Sequence, residues 1–407
     1  MTRRRPGILR VALVPRVPTM IGASTVAQLP LGMMTVALLL FGQSATGSLA
    51  LGGTLVATFY LSTGVASPVL GRAVDRRGSR GVLRASAVVH VCSLLLLIVL
   101  PRLHATTAML VLTTALMGAS VPPISGSQRR LWPLLLAEHF ELQTPGFALD
   151  AVLVEMVFIV GPLLAALAIA LTSPAGALAV AGILTGLGIV WFTALPQVGT
   201  NSPSGDASIR AAVTQPPVEA SILSMIGAIA AVAFAVGSST GSIEIALPAF
   251  ALGRGEPATG GLLIALLGCG SVLGGLMLSG RLRRGQIDVT LAVLTLLIPL
   301  GSSTLLLADS SLGMFVLVPL AGLAIAPLTT LKSQIIADVV PPARLTEAFA
   351  WLQMATLLGV ACGSIAASQF GHAHGWRAAV IIGCLFGLAG LVPALLARQL
   401  LTRSGSP

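Results

Sequence analysis

The sequence predicts an all-α polytopic membrane protein with twelve transmembrane helices. Of its 407 residues, 55% are hydrophobic and only 9% are charged, whereas about 25% of the residues of a soluble domain are charged. The mean hydropathy is +0.97, and apolar runs recur from end to end, each about the 20 residues that a helix needs to cross a bilayer. Because this chain has too little polar surface to coat a soluble globule, we expect it to be embedded in the lipid bilayer.

Twelve predicted spans, numbered in chain order, alternate with short polar loops. Their approximate limits are 18–41, 50–70, 82–100, 106–127, 147–171, 175–195, 221–250, 258–279, 288–307, 312–333, 347–370 and 376–397. The longest polar stretch follows span 6 and is rich in Pro, Ser and Gly, which is typical of a flexible connector. We therefore expect an N-terminal six-helix bundle at 1–196, a cytoplasmic linker at 197–220 and a C-terminal six-helix bundle at 221–407.

The basic residues predict the orientation of these spans, because Lys and Arg collect in cytoplasmic loops. With the N-terminus inside, all but Arg102, Arg254 and Arg377 of the 23 basic residues fall on the cytoplasmic side. Lys332 is assigned to the cytoplasmic end of span 10. We expect both termini in the cytoplasm and a bacterial plasma (inner) membrane location, since arginine far outnumbers lysine. Topology then explains the net charge of +10, and no nucleic-acid partner is expected.

The two halves of the chain resemble each other weakly. Gly161 in span 5 matches Gly363 in span 11 at an offset of 202, and Gly32 in span 1 matches Gly241 in span 7 at an offset of 209. Each pairing alone would be weak evidence. Together with the central connector they indicate two pseudo-symmetric six-helix halves, an arrangement in which halves rock around a site between them.

The segment GRAVDRRGSR at 71–80 is a dense charge cluster between spans 2 and 3. Its residue types and spacing resemble the helix 2–3 signature of the major facilitator superfamily, at the positions Gly71, Asp75, Arg76, Gly78 and Arg80. The resemblance implies that family's fold, with alternating-access transport of a small-molecule substrate by a monomer. It also implies that this loop is a latch holding the halves together on the cytoplasmic side.

The same residues have a physical interpretation of their own. Gly71 would let span 2 end in close packing, and Gly78 would permit a left-handed turn. A carboxylate at Asp75 would be attracted to the N-terminus of a neighbouring helix. A topogenic arginine cluster with an incidental aspartate is the alternative, but it would not need two glycines and an acid at these spacings.

Three acids fall inside predicted spans, and no Lys or Arg is expected at comparable depth. Glu155 lies near the middle of span 5, Glu244 nearer the outer side of span 7, and Asp150 about one turn inside span 5. A carboxyl that is neutral when dry and ionised when wetted can carry a proton, so we predict proton coupling or substrate binding at these acids. Permanently protonated carboxyls are the alternative, as are a cationic substrate at Glu244 and an ion pair of Asp150 with Arg129 or Arg130.

Span 5 continues with Gly161 and Pro162, which resemble the Gly-Pro motif of the drug/proton antiporter branch of that superfamily. Pro162 removes a backbone hydrogen bond and kinks the helix, while small residues allow close helix approach. Ala165 and Ala166 stand where glycines are usual in that branch. The mid-membrane arginine that such antiporters often carry in helix 4 is also absent. The motif favours efflux over uptake.

The resemblance implies a pocket formed by spans 1, 4, 7 and 10. The candidate lining residues of these spans are Gln28, Met33, Pro123, Ser125, Thr240 and Thr330. Such an apolar pocket with few polar anchors suits amphipathic or apolar organic compounds. We therefore predict proton-coupled efflux of these compounds, and an uptake carrier or uncoupled facilitator for a small organic metabolite is the alternative.

Other function classes find little support. There is no HExxH or P-loop sequence, so an enzyme is not expected. The four cysteines lie singly in apolar runs, at positions 92, 269, 362 and 384. We expect no disulfide, metal or other cofactor.

Overall fold

The computed structural model describes residues 8–139, 142–199, 220–278, 287–340 and 345–403. Within these ranges the chain is helical with short turns and contains no β-strand. Twelve segments are long and apolar enough to cross a membrane. The predicted all-α fold with twelve spans is therefore confirmed.

Spans 1–6 form the N-terminal half and spans 7–12 the C-terminal half. In the N-terminal half the helices are Val17–Thr46, Leu49–Arg77, Ser79–Val99, Thr107–Ala119 with Ile124–Leu135, Gln143–Leu171 and Pro174–Ala194. In the C-terminal half they are Ala220–Gly253, Thr259–Leu278, Ile287–Ser303, Ser311–Gly322 with Ile325–Val339, Leu345–His374 and Trp376–Ala389 with Leu391–Arg403. Several helices extend beyond the predicted limits, because polar residues continue a helix past its apolar part.

Spans 4 and 10 are interrupted near their middles, although the sequence predicted continuous helices. In span 4 the interruption contains Pro122 and Pro123, and the second helix begins at Ile124. In span 10 the second helix begins at Ile325. Pro327 lies in its first turn, where the missing N–H has no helical partner to lose. The two second helices begin 201 residues apart, close to the repeat offset, so the interruption belongs to both halves.

The packing within each half repeats as well. Gly32 of span 1 lies directly against the backbone of Gly161 in span 5. In the other half, Gly241 of span 7 lies against the backbone of Val360 in span 11, and Gly363 lies against Ser238. A side chain at any of these glycines would overlap with the neighbouring backbone. The glycine pairs found in the sequence therefore mark the same helix contact in both halves.

The contacts between the halves come mainly from three helix pairs, namely spans 2 and 11, 5 and 8, and 1 and 7. We call the side where span 1 begins and span 12 ends the termini face, and the opposite side the far face. Gly53 of span 2 lies against Ser368 of span 11, and Gly261 of span 8 lies against Pro162 and Ala166 of span 5. Both close approaches lie toward the far face, where the described parts of the two halves are held together.

The charged stretch at 71–80 is mostly helical, unlike the loop that the sequence predicted. Span 2 continues to Arg77 and span 3 begins at Ser79, so Gly78 alone joins them, with φ +84°. Its φ is positive, but with ψ at 152° the backbone is not in the left-handed turn that the sequence predicted. The predicted close packing at Gly71 is wrong, because nothing lies within 4 Å of the place that a Cβ would occupy. The reason is that span 2 continues past Gly71 instead of ending there.

Candidate functional site

A hydrogen-bonded group of three side chains crosses between the halves. Thr35 Oγ1 of span 1 donates to Glu244 Oε2 of span 7 over 3.1 Å. The Tyr60 hydroxyl of span 2 lies 2.9 Å from the same Thr35 oxygen. Because the single hydroxyl proton of Thr35 is used on the carboxylate, Tyr60 is the donor of the second bond. We call Thr35, Tyr60 and Glu244 the inter-half site.

The neighbouring helices explain why these side chains meet. Close packing of span 1 on span 5 at Gly32 places the following turn, with Thr35, in the interior, where it is 3% exposed. Tyr60 is 5% exposed and packs edge-on against Phe59 with ring centroids 5.4 Å apart. A buried tyrosine hydroxyl requires a partner, and Thr35 provides it. Glu244 as a residue is only partly buried, and its carboxylate is held against Thr35.

Glu155, the other candidate proton carrier, lies on the seam between spans 5 and 8. It is half-buried and stands one helical turn before Ile159, whose side chain lies against Gly268 of span 8. Residues four apart share a helix face, so Glu155 belongs to the face that meets the other half. Among the described residues, no hydrogen bond or ion pair to Glu155 is found.

Two other titratable groups in the spans are engaged in packing contacts. Asp150 is 4% exposed; its Oδ2 lies 3.2 Å from Arg129 Nε, and its Oδ1 accepts from Trp132 Nε1 over 3.4 Å. The ion pair with Arg129 was one of the two sequence interpretations and is confirmed. His90 is also buried, with its Nδ1 2.8 Å from the Met117 carbonyl oxygen. These contacts fasten span 4 to spans 5 and 3.

Two of the predicted lining residues form a polar cluster between spans 1 and 4. Ser125 Oγ donates to Gln28 Oε1 over 2.8 Å, and Gln28 Nε2 donates to Gln128 Oε1 over 3.1 Å. Ser125 is exposed, and Pro123 just precedes the second helix of span 4. The cluster thus presents the Ser125 hydroxyl and part of Gln28 at an exposed edge of the N-terminal half, while Gln128 is buried.

The remaining lining candidates are not part of this cluster. Met33 is fully buried and belongs to the hydrophobic core; its role in lining a cavity stays a prediction. Thr240 is half-buried and donates to the carbonyl of Val236 in its own helix over 3.0 Å. Thr330 is exposed on the second helix of span 10. Among the described residues, no hydrogen bond connects Thr330 with the Gln28 cluster.

Sequence reasoning missed a buried cation. Lys332 was assigned to the cytoplasmic end of span 10, but the second helix of this span runs to Val339, so Lys332 lies at its middle. The side chain is 3% exposed. The sequence did not reveal this burial, because the helix continues seven residues beyond Lys332.

The helix 2–3 motif contacts its own half. Arg80 Nη2 donates to the Leu195 carbonyl oxygen over 3.2 Å, and Arg84 Nε donates to Thr193 Oγ1 over 2.9 Å. Both acceptors lie at the end of span 6. Arg76 is exposed, and the side chain of Asp75 lies outside the described part of the chain.

The described residues show no candidate metal centre. No group of three or more His, Cys, Asp and Glu side chains is arranged to hold an ion. The four cysteines are free.

The sequence matches the family model of the Major Facilitator Superfamily over residues 20–298 and 287–406. The chain belongs to the major facilitator superfamily. This family consists of membrane transporters, so the twelve spans are those of a multi-pass transport protein. A search of curated proteins finds no match.

Solved structures of other transporters show the same major facilitator fold. The peptide transporter POT in complex with sulfate is 13% identical, with a TM-score of 0.74 over 98% of this chain and 99% of that one. The nucleoside transporter NupG is 14% identical, with a TM-score of 0.69 over 94% and 98%. The human organic anion transporter MFSD10 is 18% identical, with a TM-score of 0.60 over 96% and 100%. At these identities the likeness concerns the fold alone.

Proposed function

We propose that this major facilitator superfamily transporter exports small amphipathic or apolar organic compounds in exchange for protons by alternating access. The observation that carries the proposal is the hydrogen bond from Thr35 to Glu244, because it joins the two halves through a group that can bind a proton. A carboxylate in this position makes the strength of the contact between the halves depend on its protonation.

The direction in which protonation of Glu244 changes the contact between the halves is the one that exchange of substrate for protons requires. When Glu244 is ionised, the bond from Thr35 is charge-assisted and strengthened by Tyr60 donating to Thr35. A hydrogen bond to a charged group contributes about 1.5–3 kcal/mol, which corresponds to about a 10- to 150-fold preference for the state that contains it. The empty, deprotonated transporter is then held closed at the far face. Protonation of Glu244 weakens its bond to Thr35, whereas a bound substrate must provide the energy that breaks this bond. A transporter that carries neither a proton nor a substrate therefore stays closed at the far face.

Two further features support this function. Glu155 lies on the seam of spans 5 and 8 without a described partner, where opening would wet it, so it is the second candidate proton carrier. Gly161 and Pro162 of the antiporter-like motif lie where span 5 contacts span 1 and span 8. Asp150 is excluded from the proton pathway in this proposal, because its two oxygens already hold Arg129 and Trp132.

The substrate class follows from the lining. The Gln28–Ser125 cluster offers a few polar groups at an accessible edge, and aromatic residues are only 4% of the chain. Such surroundings suit amphipathic molecules better than sugars, which favour aromatic platforms.

We assign the helix 2–3 motif to a latch at the termini face. In the present state Arg80 and Arg84 bind the end of span 6 in their own half, which agrees with a latch that is released. Gly78 sets the abrupt turn between spans 2 and 3 that positions these arginines.

Reconstitution in vesicles with an imposed pH gradient tests the proposal. The wild-type protein is expected to move candidate compounds only with counterflow of protons. Glu244→Gln is expected to abolish the effect of the gradient while retaining downhill flux. Glu256→Gln, which changes an exposed acid in a far-face turn, is the matched control and should behave as wild type.

Proton coupling at this site would be contradicted if adding substrate did not dissipate the pH gradient. It would also be contradicted if substrate flux through the Glu244→Gln protein still responded to the pH gradient. Direction is tested separately in everted and right-side-out vesicles. Accumulation only in everted vesicles supports export, and the opposite result supports the uptake carrier or facilitator.

A further inference from the structure

Lys332, the only lysine in the chain, is buried, and the described residues place no carboxylate beside it. It is 3% exposed, and the buried residues around it on the same helix are all apolar, namely Leu328, Leu331, Ile335 and Ile336. Among the described residues, no carboxylate pairs with it. An ammonium group in an apolar interior either loses its proton or keeps its charge because another group compensates it. The compensating group is therefore expected to come from outside the described protein.

The helix that carries Lys332 begins inside the bundle. Its first residue, Ile325, follows the interruption of span 10, and no side chain caps its first turn. The free N–H groups of a helix start attract anions. Side chains in a helix lean toward its N-terminus, so the Lys332 ammonium group and the helix start direct positive charge to the same region.

The interruption of span 10 packs closely against span 8, and the helix surface that follows it is partly exposed. Gly274 of span 8 lies directly against the backbone of Leu323, and Gly275 lies against Ala326. Thr329, which neighbours Lys332 one turn earlier on the helix surface, is exposed. The buried lysine is thus one side chain away from accessible space.

The N-terminal half provides an internal comparison. Its span 4 is interrupted at the equivalent place, also without a side-chain cap. The residue equivalent to Lys332, 201 positions earlier, is the buried and apolar Leu131. The second helix of span 4 carries Arg129, but this residue is largely exposed and paired with Asp150. In the part of the chain that the structure describes, such a buried cation without a carboxylate partner is therefore found in span 10 and not at the equivalent place in span 4.

We propose that Lys332 and the interrupted middle of span 10 bind the anionic group, a carboxylate or sulfonate, of the transported compound. The inference rests on the proposed transport function and narrows its substrates to amphipathic organic anions. The anion supplies the charge that Lys332 lacks, while the apolar body of the compound occupies the aliphatic surroundings.

Because the chain has a single lysine, amine modification tests the site in the wild-type protein. An uncharged amine-reactive ester is added to detergent-purified transporter, and modification of the Lys332 peptide is followed by mass spectrometry. Three probes share one ring system and differ in the polar group: 2-naphthoate, 2-naphthylmethanol and trimethyl(2-naphthylmethyl)ammonium. We expect 2-naphthoate alone to slow modification, at least fivefold, with sulfate at equal ionic strength having little effect.

Equal protection by all three probes, or no protection by 2-naphthoate, would overturn the proposal. Equal protection by sulfate would reduce the site to one for inorganic anions and overturn the substrate assignment. A lysine that never reacts would also overturn it, because a site open to naphthoate must be open to a reagent of similar size.

Transport by variants provides the second measurement. Lys332→Met should lower naphthoate flux at least tenfold and remain folded, because the substitution removes an unpaired buried charge; thermal unfolding checks this. Lys332→Arg should retain most flux, and Arg102→Gln, an exposed cation elsewhere, should not change it. Unaltered naphthoate flux in Lys332→Met would overturn the assignment. If only the neutral or the cationic probe shows proton-linked flux, the anion site is refuted but the proposed transport function stands. If 2-naphthoate protects Lys332 but no probe shows flux, the anion site stands and the proposed transport function is refuted.

Discussion

Thr35 and Glu244 occupy equivalent positions of the two repeats and are hydrogen-bonded to each other. They are 209 residues apart, the same offset that relates Gly32 of span 1 to Gly241 of span 7. Two equivalent residues can touch only close to the axis that relates the halves. The repeat therefore brings a hydroxyl from one half and a carboxyl from the other together next to this axis.

Removing the Thr35 hydroxyl should loosen the far face. Thr35→Val keeps the shape but not the donor, so we expect about a tenfold or greater shift toward the state that is open at the far face, in line with the loss of a charge-assisted bond. The measurement is maleimide labelling of Ser368→Cys in a cysteine-free background. Thr54→Val is the control, because Thr54 bonds only to the Ala50 carbonyl of its own helix. Equal labelling of both variants would show that the Thr35–Glu244 bond does not hold this face closed.

A side chain at Gly53 should prevent closure of the far face. Even the Cβ of Gly53→Ala would overlap with Ser368, so we expect transport to fall tenfold or more while the protein stays folded. Gly186→Ala in span 6 is the control, since nothing lies within 4 Å of its added Cβ. If Gly53→Ala transports like Gly186→Ala, the approach of spans 2 and 11 is not a required step.

Asp150 should matter for stability and not for proton coupling. Asp150→Asn breaks the pair with Arg129 and weakens the bond from Trp132. Because the carboxylate is buried but the arginine is largely exposed, we expect a loss of about 1 kcal/mol and a melting temperature a few degrees lower. Glu138→Gln, at an exposed acid nearby, should leave the melting temperature unchanged. An Asp150→Asn protein with normal stability but uncoupled transport would place Asp150 in the proton pathway instead.

Cysteine labelling in intact cells tests the orientation. If the termini face is cytoplasmic, a membrane-impermeant maleimide should label Ser310→Cys at the far face without permeabilisation. It should label Glu138→Cys at the termini face only after permeabilisation. Both residues are exposed, so the comparison reports sidedness and not burial. The reverse pattern would invert the topology derived from the arginines.

The sequence was sufficient for the spans and for one contact. Hydrophobic length determines a spanning helix, which is why the twelve spans were predictable. The Arg129–Asp150 pair was predictable because opposite charges at neighbouring helix ends attract each other. The matched glycines indicated the repeat, but their place at close helix contacts is known only from the structure.

The inter-half site and the buried lysine were not predictable in the same way. Thr35 and Tyr60 are ordinary residues in apolar helices, although Tyr60 is the only tyrosine in the chain, and their meeting with Glu244 depends on tertiary packing. A cue existed in the 209-residue offset, which aligns Thr35 with Glu244. Lys332 was misplaced because the apolar run ends near it while the helix does not.

Because Gly78 alone joins the long helices of spans 2 and 3, these helices cannot move independently at this end. When span 2 tilts away from span 11, span 3 has to swing with it. Arg80 and Arg84 then pull the end of span 6 along. Movement at the boundary between the halves is thereby transmitted to span 6, whose end lies next to the start of the connector.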